Sequence, residues 1–283
     1  MLVIGHRGCR GILPENTLDG FIEAIRLGVN AIELDVVVSL DEEIVVSHEA
    51  FMSRITCTFP NGSNIQEADD QKINLYQMTY EEIKAFDCGL KNHSKFPNQI
   101  NIPAYKPLLA EVIIACEDYC KQHKIKPITY IIEVKSKPEL YGLFYPSPQE
   151  YVAILLREIL PFQLTNRIVL KSFDVEILNE IKLRDSEKTI SLLINREESI
   201  DEKLKKLNFK PEILGPYFKL LNDSTMVAKY KDKGFYIYPW TINELADMKA
   251  VKKMGVDGII TDYPDKLIGL LTSEKLTYLA SSD

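Results

Sequence analysis

Short β-rich runs and helix-like segments alternate along almost all of this 283-residue chain, and this alternation constrains the fold more than any other feature. The runs are rich in Ile, Val and Leu, which is typical of strands covered on both faces. Strands separated by helices predict a parallel sheet. About eight strand-helix units favour a closed α/β barrel, the TIM (β/α)8 barrel, over an open doubly wound sheet. The runs span residues 2–5, 30–38, 43–48, 128–134, 167–173, 189–194, 212–216, 234–240 and 256–262.

Helical spacing of apolar residues predicts the intervening helices, and one long stretch departs from the pattern. Residues 50–107 contain polar segments such as "PNGSN", with one helix expected near residues 80–86. We therefore predict a single TIM-barrel domain over residues 1–283, with 50–107 as an inserted loop or subdomain after the second strand region. The other expected helices span 17–27, 108–122, 148–160, 175–184, 226–231 and 242–254.

Composition and charge argue against several classes of function. The 41 acidic and 34 basic residues give a net charge of −7, and no Lys/Arg block is long enough to follow a nucleic-acid backbone. No apolar run approaches the roughly 18 residues that span a bilayer, so we expect no stable membrane insertion. Only four apolar residues precede the first polar turn, which predicts a cytoplasmic protein if the native chain starts here, and a periplasmic or secreted one if a signal peptide precedes it. Homo-oligomerisation is left open.

The five cysteines lack the paired spacing of a zinc site, which fits a reducing compartment. Cys116 and Cys120 lie four residues apart on an expected helix, where buried core thiols are favoured over a redox or metal pair. A bridge between Cys57 and Cys88, within the inserted region, is left open.

Polar residues at the ends of the β-rich runs are the candidates for a functional site, because the active site of a parallel barrel lies at the carboxyl ends of its strands. The first pair sits in "GHRGCRG", whose glycines fit neither a dinucleotide-binding turn nor a P-loop. The selected residues are His6, Arg7, Glu33, Asp35, His48, Glu133, Lys135 and Trp240.

Three of these residues are acidic and are expected to face one another. Glu33 and Asp35 are two positions apart in a strand and so point to the same side, while Glu133 lies in an apolar run. Buried carboxylates in one barrel would repel one another unless a cation joined them. All-oxygen ligation suits Mg²⁺, Ca²⁺ or Mn²⁺ better than Zn²⁺. The alternative is that the acids merely pair with Arg7 and Lys135.

The two strand-terminal histidines and the two cations suggest chemistry on an anion. His6 and His48 each end an apolar run, and their expected convergence on acids and a lysine favours general acid/base work over satisfied core histidines. Arg7 and Lys135 suit phosphoryl oxygens beside a metal, although Lys135 could serve a salt bridge alone. The chain's other two histidines, at 93 and 123, lie in polar surroundings and are expected at the surface.

At this point the ordered motifs resemble those of the glycerophosphodiester phosphodiesterases, over nearly the whole chain. That resemblance implies a TIM barrel with a small insertion after the second strand, and metal-dependent hydrolysis of glycerophosphodiesters to glycerol 3-phosphate and an alcohol. The motifs are "GHRG" (5–8), "PENT" (14–17), "IELDVVVSLDEEIVVSH" (32–48), "IIEVKS" (131–136), "KSF" (171–173), "WTIN" (240–243) and "GVDGIITDYPD" (255–265).

The resemblance also implies a role for each selected residue. The metal ligands are Glu33, Asp35 and Glu133. The acid/base pair is His6 and His48, the phosphate contacts are Arg7 and Lys135, and Trp240 is a wall of the substrate pocket. Among the supporting residues, Asn16 and Asp262 are expected around the site. One departure is Glu49, where family members commonly have Asp, so a supporting role for that carboxylate is not assured.

Two alternative functions remain open. A phospholipase D-like enzyme acting on intact lipid headgroups would use the aromatic loop at 138–151, "PELYGLFYPSPQEY", as a lipid contact. The simpler interpretation of that loop is local packing of its aromatic side chains. A catalytically silent barrel that binds glycerophosphate is the second alternative, but every selected position is intact.

Overall fold

The alternation closes into a barrel, which confirms the predicted TIM fold. The computed structural model describes residues 1–280, without the side chains of residues 165 and 274–280. The strands in that range are β1 Leu2–Gly5, β2 Ala31–Val38, β3 Ile44–Val46, β4 Thr129–Val134, β5 Ile168–Ser172, β6 Thr189–Ile194, β7 Ile213–Pro216, β8 Tyr236–Ile237 and β9 Gly258–Thr261. Eight of them run parallel in the order β8-β7-β6-β5-β4-β2-β1-β9. Backbone hydrogen bonds from Asp257 N to Ile237 O and from Ile260 N to Pro239 O, each 3.1 Å, join the two ends.

Strand β3 differs from the other strands because it does not belong to the barrel wall. It pairs antiparallel with the end of β2, with Val36 opposite Val46 and Val38 opposite Ile44. The short link between these strands allows a hairpin but not a parallel crossover, which needs a dozen residues or more. His48 therefore follows a hairpin that extends above the barrel mouth.

The helices lie close to their predicted positions, and two were missed by the sequence analysis. The missed helices are the short helix 200–204 and the C-terminal helix 264–280. The second begins with Pro264 followed by Asp265, which is a helix-start signal. The helices are α1 Leu18–Leu27, α2 Tyr80–Lys84, α3 Leu109–Gln122, α4 Pro148–Ile159, α5 Val175–Arg184, α6 Ile200–Leu204, α7 Ser224–Asp232, α8 Leu245–Lys253 and α9 Pro264–Ala280. Within residues 1–280, no helix combines the length and apolarity needed to cross a bilayer.

A small apolar layer inside the barrel sets the position of the polar site. It is separate from the large core between strands and helices, and it takes one side chain from each of six barrel strands. Because side chains alternate along a strand, residues two positions further on point inward in the next layer. That next layer contains the site described below. The apolar layer consists of Ile4, Ala31, Ile131, Val169, Ile213 and Ile260.

Residues 50–107 contain α2 and little other regular structure, and they pack against the N-terminal loop. A disulfide joins Cys57 to Cys88, the pairing that the sequence left open. Gln99 Nε2 donates to the carbonyl oxygens of Arg10 and Leu13, at 2.6 and 3.0 Å. These contacts connect the inserted region to the loop that follows β1.

Candidate active site

Three buried carboxylates meet at the carboxyl ends of β2 and β4. Glu33, Asp35 and Glu133 are 0, 1 and 7% exposed. Each offers one oxygen to a set whose members all lie within 4.8 Å of one another. Register explains the convergence, because Asp35 lies opposite Glu133 in the parallel pairing of the two strands.

Two lysines and an arginine compensate this negative charge. Lys135 Nζ is 2.7 Å from Glu133 Oε1 and 3.8 Å from Asp35 Oδ1, and Arg7 Nε is 3.2 Å from Asp35 Oδ2. Burial raises the pKa of Asp35 and of Glu133, but Arg7 beside Asp35 and Lys135 beside Glu133 hold each pKa below its usual range. Asp35 and Glu133 are therefore ionised at neutral pH.

The third cation is Lys171, which lies in the "KSF" motif but is not among the site residues predicted from the sequence. Its Nζ lies 2.7 Å from Glu33 Oε1 and 3.5 Å from Glu133 Oε2. The available signal was its place in strand β5, two positions after the inward-facing Val169. A lysine inside an apolar strand must find a buried anion, because an unpaired buried charge is too costly.

The acid cluster has the chemistry of a hard-cation site. Among the described residues, Asp35 Oδ1 is a buried oxygen that accepts no hydrogen bond, and Lys135 Nζ lies 3.8 Å from it. Carboxylate oxygens with free lone pairs are the ligands that Mg²⁺ and Ca²⁺ prefer. The residues present therefore fit a divalent metal.

His6 lies between this cluster and a carboxylate from the end of β9. Its Nδ1 is 2.6 Å from Asp262 Oδ1, and its Nε2 is 3.9 Å from Glu33 Oε2. Asn243 Nδ2 donates to the second Asp262 oxygen at 2.7 Å. Burial raises the pKa of Asp262, but His6 and then Arg10 lower it below its usual range. An ionised Asp262 assigns the proton of this bond to Nδ1 and leaves Nε2 facing the cluster.

The backbone of "GHRG" explains the glycines around this pair. Arg7 has a φ of 50° and Gly8 a φ of 90°, which are left-handed values. A Cβ on Gly8 would lie 2.7 Å from the Gly20 carbonyl carbon, and a Cβ on Gly5 would overlap the Gly8 carbonyl oxygen. The turn therefore needs glycine on both sides to direct His6 and Arg7 into the barrel mouth.

His48 approaches the cluster from the hairpin side and is paired with its neighbour. Its Nδ1 is 2.7 Å from Glu49 Oε1, so the longer side chain still reaches the imidazole. Burial lowers the pKa of His48, and the Lys135 and Arg7 charges lower it further. A mostly neutral imidazole at physiological pH can accept a proton.

The "PENT" segment contacts both Arg7 and the acid cluster. Arg7 Nη1 donates to Glu15 Oε1 at 2.9 Å, and the Arg7 backbone N–H donates to Glu33 Oε2 at 3.0 Å. Asn16, itself at a φ of 57°, donates through Nδ2 to Asp35 Oδ2 at 3.0 Å. Both Asn16 and Asp262, expected as supporting residues, thus contact members of the site.

A groove of about 540 Å³ opens from the acid cluster across the ends of β4, β5 and β6. Glu133 and Lys135 form its inner end, and Phe173 and Asp174 line its wall. Trp240 packs edge-on against Phe173 with ring centroids 5.5 Å apart, and its Nε1 donates to Gly215 O at 2.7 Å. Trp240 thus contacts a residue of the groove wall, and its own role in a substrate pocket stays a prediction.

The aromatic loop at 138–151 packs inward. The Tyr141 hydroxyl donates to Asp174, Tyr145 is buried, and Phe144 contacts Phe51 with ring centroids 6.4 Å apart. This arrangement favours local packing over a lipid contact.

The surface prediction for the histidine at position 93 is wrong, because His93 is 7% exposed and packs on an aromatic ring of the inserted region.

Comparisons with known proteins identify the family of this chain and confirm its fold. The model of the glycerophosphoryl diester phosphodiesterase family matches residues 6–266. A glycerophosphodiester phosphodiesterase of Caldanaerobacter subterraneus is 32% identical over 271 residues, covering 95% of this chain and 97% of the relative. A Silicibacter pomeroyi structure, provisionally named a glycerophosphoryl diester phosphodiesterase, is 30% identical with a TM-score of 0.86, covering 97% and 94% of the two chains. An Oleispira antarctica phosphodiesterase, solved with the product sn-glycerol-3-phosphate, shares the fold at 23% identity and a TM-score of 0.75, covering 96% and 97%.

Proposed function

This chain belongs to the glycerophosphoryl diester phosphodiesterase family, and on that premise we propose that it hydrolyses glycerophosphodiesters by metal-assisted, two-histidine catalysis. The products are sn-glycerol 3-phosphate and an alcohol. One observation supports the proposal most strongly: three buried carboxylates, two carboxylate-paired histidines and two strand-end cations converge at the mouth of one barrel. Each group has a distinct part in phosphodiester cleavage.

Glu33, Asp35 and Glu133 would hold a divalent metal, Mg²⁺ or Ca²⁺, with Mn²⁺ also compatible with oxygen ligands. When bound, that metal supplies positive charge to a phosphoryl oxygen. Lys171 pairs with Glu33, and Lys135 pairs with Glu133, so these carboxylates are held in place by ion pairs. The ligand set is thereby preorganised by the chain's own cations.

Arg7 and Lys135 bind the anionic diester and stabilise the charge that grows on its equatorial oxygens. One histidine accepts the proton of the attacking hydroxyl, and the other gives a proton to the departing alkoxide. In the first step, the glycerol 2-hydroxyl attacks phosphorus, and its new P–O bond forms as the bond between phosphorus and the oxygen of the leaving alcohol breaks. Water then opens the cyclic phosphate, and the histidines exchange roles.

The groove beside Lys135 is the place for one end of the diester. Its inner end coincides with the reacting groups, and its wall contains an aromatic ring and several polar side chains. Binding in this groove would align the leaving alcohol with the proton donor, which is a large part of the catalytic advantage of an enzyme.

Histidine replacement and chelation test the proposal together. His6→Ala and His48→Ala should each lower turnover by about 10² or more, which is typical of lost acid/base help. His123→Ala is the matched control, because His123 is exposed to solvent at the C-terminal end of α3. EDTA should abolish activity, and Mg²⁺, Ca²⁺ or Mn²⁺ should restore it. Normal rates in both site variants, or in EDTA, would contradict the mechanism.

The same assay separates the alternatives. A panel of glycerophosphodiesters and intact lipids should show turnover of the former, and a preference for lipid would favour the phospholipase D-like function. Metal and glycerol 3-phosphate binding without turnover of any diester would favour the silent barrel.

A further inference from the structure

We propose that Arg10 is a positioning residue of the phosphate site, and that it acts by sharing Glu15 with Arg7. This inference rests on the proposed function, since it concerns the binding of the diester phosphate. Arg10 is outside the set of residues selected from the sequence, although it lies in the same segment, "GHRGCRGILPENT".

The two arginines divide the Glu15 carboxylate between them. Arg7 Nη1 lies 2.9 Å from Glu15 Oε1, and Arg10 Nε lies 2.7 Å from Glu15 Oε2. The Arg7, Arg10 and Glu15 side chains are 9, 15 and 15% exposed, so water screens this trio weakly. Arg7 also faces Asp35, with Nε 3.2 Å from Oδ2.

Charge accounting shows what Arg10 contributes. Without Arg10, Arg7 would be the only cation of the described residues within 4 Å of Glu15, and Arg7 also pairs with Asp35, so the Glu15 charge would be undercompensated beside an anionic diester. With Arg10, each oxygen of Glu15 faces a guanidinium group. Like-charge contacts oppose ligand binding, so the second arginine removes a repulsion that Arg7 alone cannot cancel.

The inserted region holds Arg10 in place. The guanidinium carbon lies 4.8 Å from the centroid of the Phe96 ring, a cation–π contact, and Gln99 Nε2 donates to the Arg10 carbonyl oxygen at 2.6 Å. Phe96 is itself packed between His93 at 4.9 Å and Tyr263 at 6.2 Å, measured between ring centroids. Phe96 of the inserted region thus holds the Arg10 guanidinium by a cation–π contact, and Phe96 is itself held by two neighbouring rings.

The first test separates binding from turnover. Arg10→Met should raise the KM for a glycerophosphodiester, and the inhibition constant of inorganic phosphate, by about tenfold. It should change kcat by less than about twofold, because both histidines remain and His6 keeps its hydrogen bond to Asp262. Arg10→Lys keeps the charge, and its KM should stay within about threefold of the wild-type value. The matched control is Arg54→Met, which removes an ion-paired arginine of the insertion that contacts Glu67 and Asp70 and should leave KM unchanged.

A double variant tests the charge argument itself. Glu15→Gln keeps an oxygen that can accept from Arg7 but removes the charge that Arg10 balances. Adding it to Arg10→Met should return KM to within about threefold of the wild-type value, whereas a purely structural role for Arg10 would leave KM as high or higher. That second outcome, or a fall in kcat at normal KM in Arg10→Met, would overturn the inference. Absence of diester turnover in both the wild type and Arg54→Met would instead refute the proposed function.

Discussion

Each histidine of the site is hydrogen-bonded to a carboxylate, and the two carboxylates differ greatly in solvent exposure. Neutralising the buried carboxylate should therefore lower kcat more than neutralising the exposed one. The Asp262 side chain is 4% exposed and lies 2.6 Å from His6 Nδ1. The Glu49 side chain is 41% exposed and lies 2.7 Å from His48 Nδ1. The hydrogen bonds have nearly equal lengths, so burial decides the difference between Asp262→Asn and Glu49→Gln.

The expected loss of kcat follows from the hydrogen bonds that remain after each replacement. In Asp262→Asn the amide oxygen can still accept from Asn243, and the amide N–H₂ then faces His6 Nδ1. His6 must carry its proton on Nε2, the atom that faces the cluster, and can no longer accept one there. Loss of a buried charge-assisted hydrogen bond costs about 1.5–3 kcal/mol, which lowers kcat by about 10- to 150-fold. Around Glu49, solvent replaces much of the lost interaction, so the cost stays below about 1 kcal/mol and below about fivefold in kcat.

Steady-state kcat at saturating metal and diester measures both effects, with thermal unfolding curves to verify that each variant is folded. Glu49→Asp is the matched control on chain length, because it restores the carboxylate one methylene shorter. A loss of kcat in Glu49→Gln as large as that in Asp262→Asn would refute the reasoning from burial.

Three further predictions concern stability. Lys171→Met leaves two buried carboxylates without their shared cation, so urea unfolding of the metal-free protein should show a loss of about 3–5 kcal/mol, part of which added Mg²⁺ recovers. Reduction of the Cys57–Cys88 disulfide, which spans 31 residues, opens a loop and should lower the free energy of unfolding by about 3–4 kcal/mol; a Cys57→Ser/Cys88→Ser variant should not respond to reductant. Although burial raises the pKa values of Glu15 and Asp35, Arg7 holds both below their usual range. The contribution of these two ion pairs to the free energy of unfolding is complete above the unfolded pKa values of about 4, and it is lost as pH falls through the lower folded values. Urea midpoints should therefore drop steeply below about pH 4. A flat profile of urea midpoint against pH in that range would contradict the ion pairing.

Much of the site could be predicted because its signals are local. Glu33 and Asp35 share a face by strand periodicity alone, and the burial of Glu133 follows from the apolar run around it. The hairpin of β2 and β3 could also have been predicted from the sequence, because the link between them is too short for a parallel crossover. Lys171 was the main omission, and its position in a buried strand was the neglected signal.

The sequence by itself determined the alternating elements, the barrel they form and the residues that end its strands, because these depend on periods of two and 3.6 residues that are visible within any short window. Only the tertiary structure decided the partners. Asp262 meets His6 across 256 positions because β9 lies beside β1, and Phe96 supports Arg10 because the insertion folds back over the first loop. Such pairings depend on barrel closure and on how an irregular segment packs, and neither leaves a periodic trace in the chain.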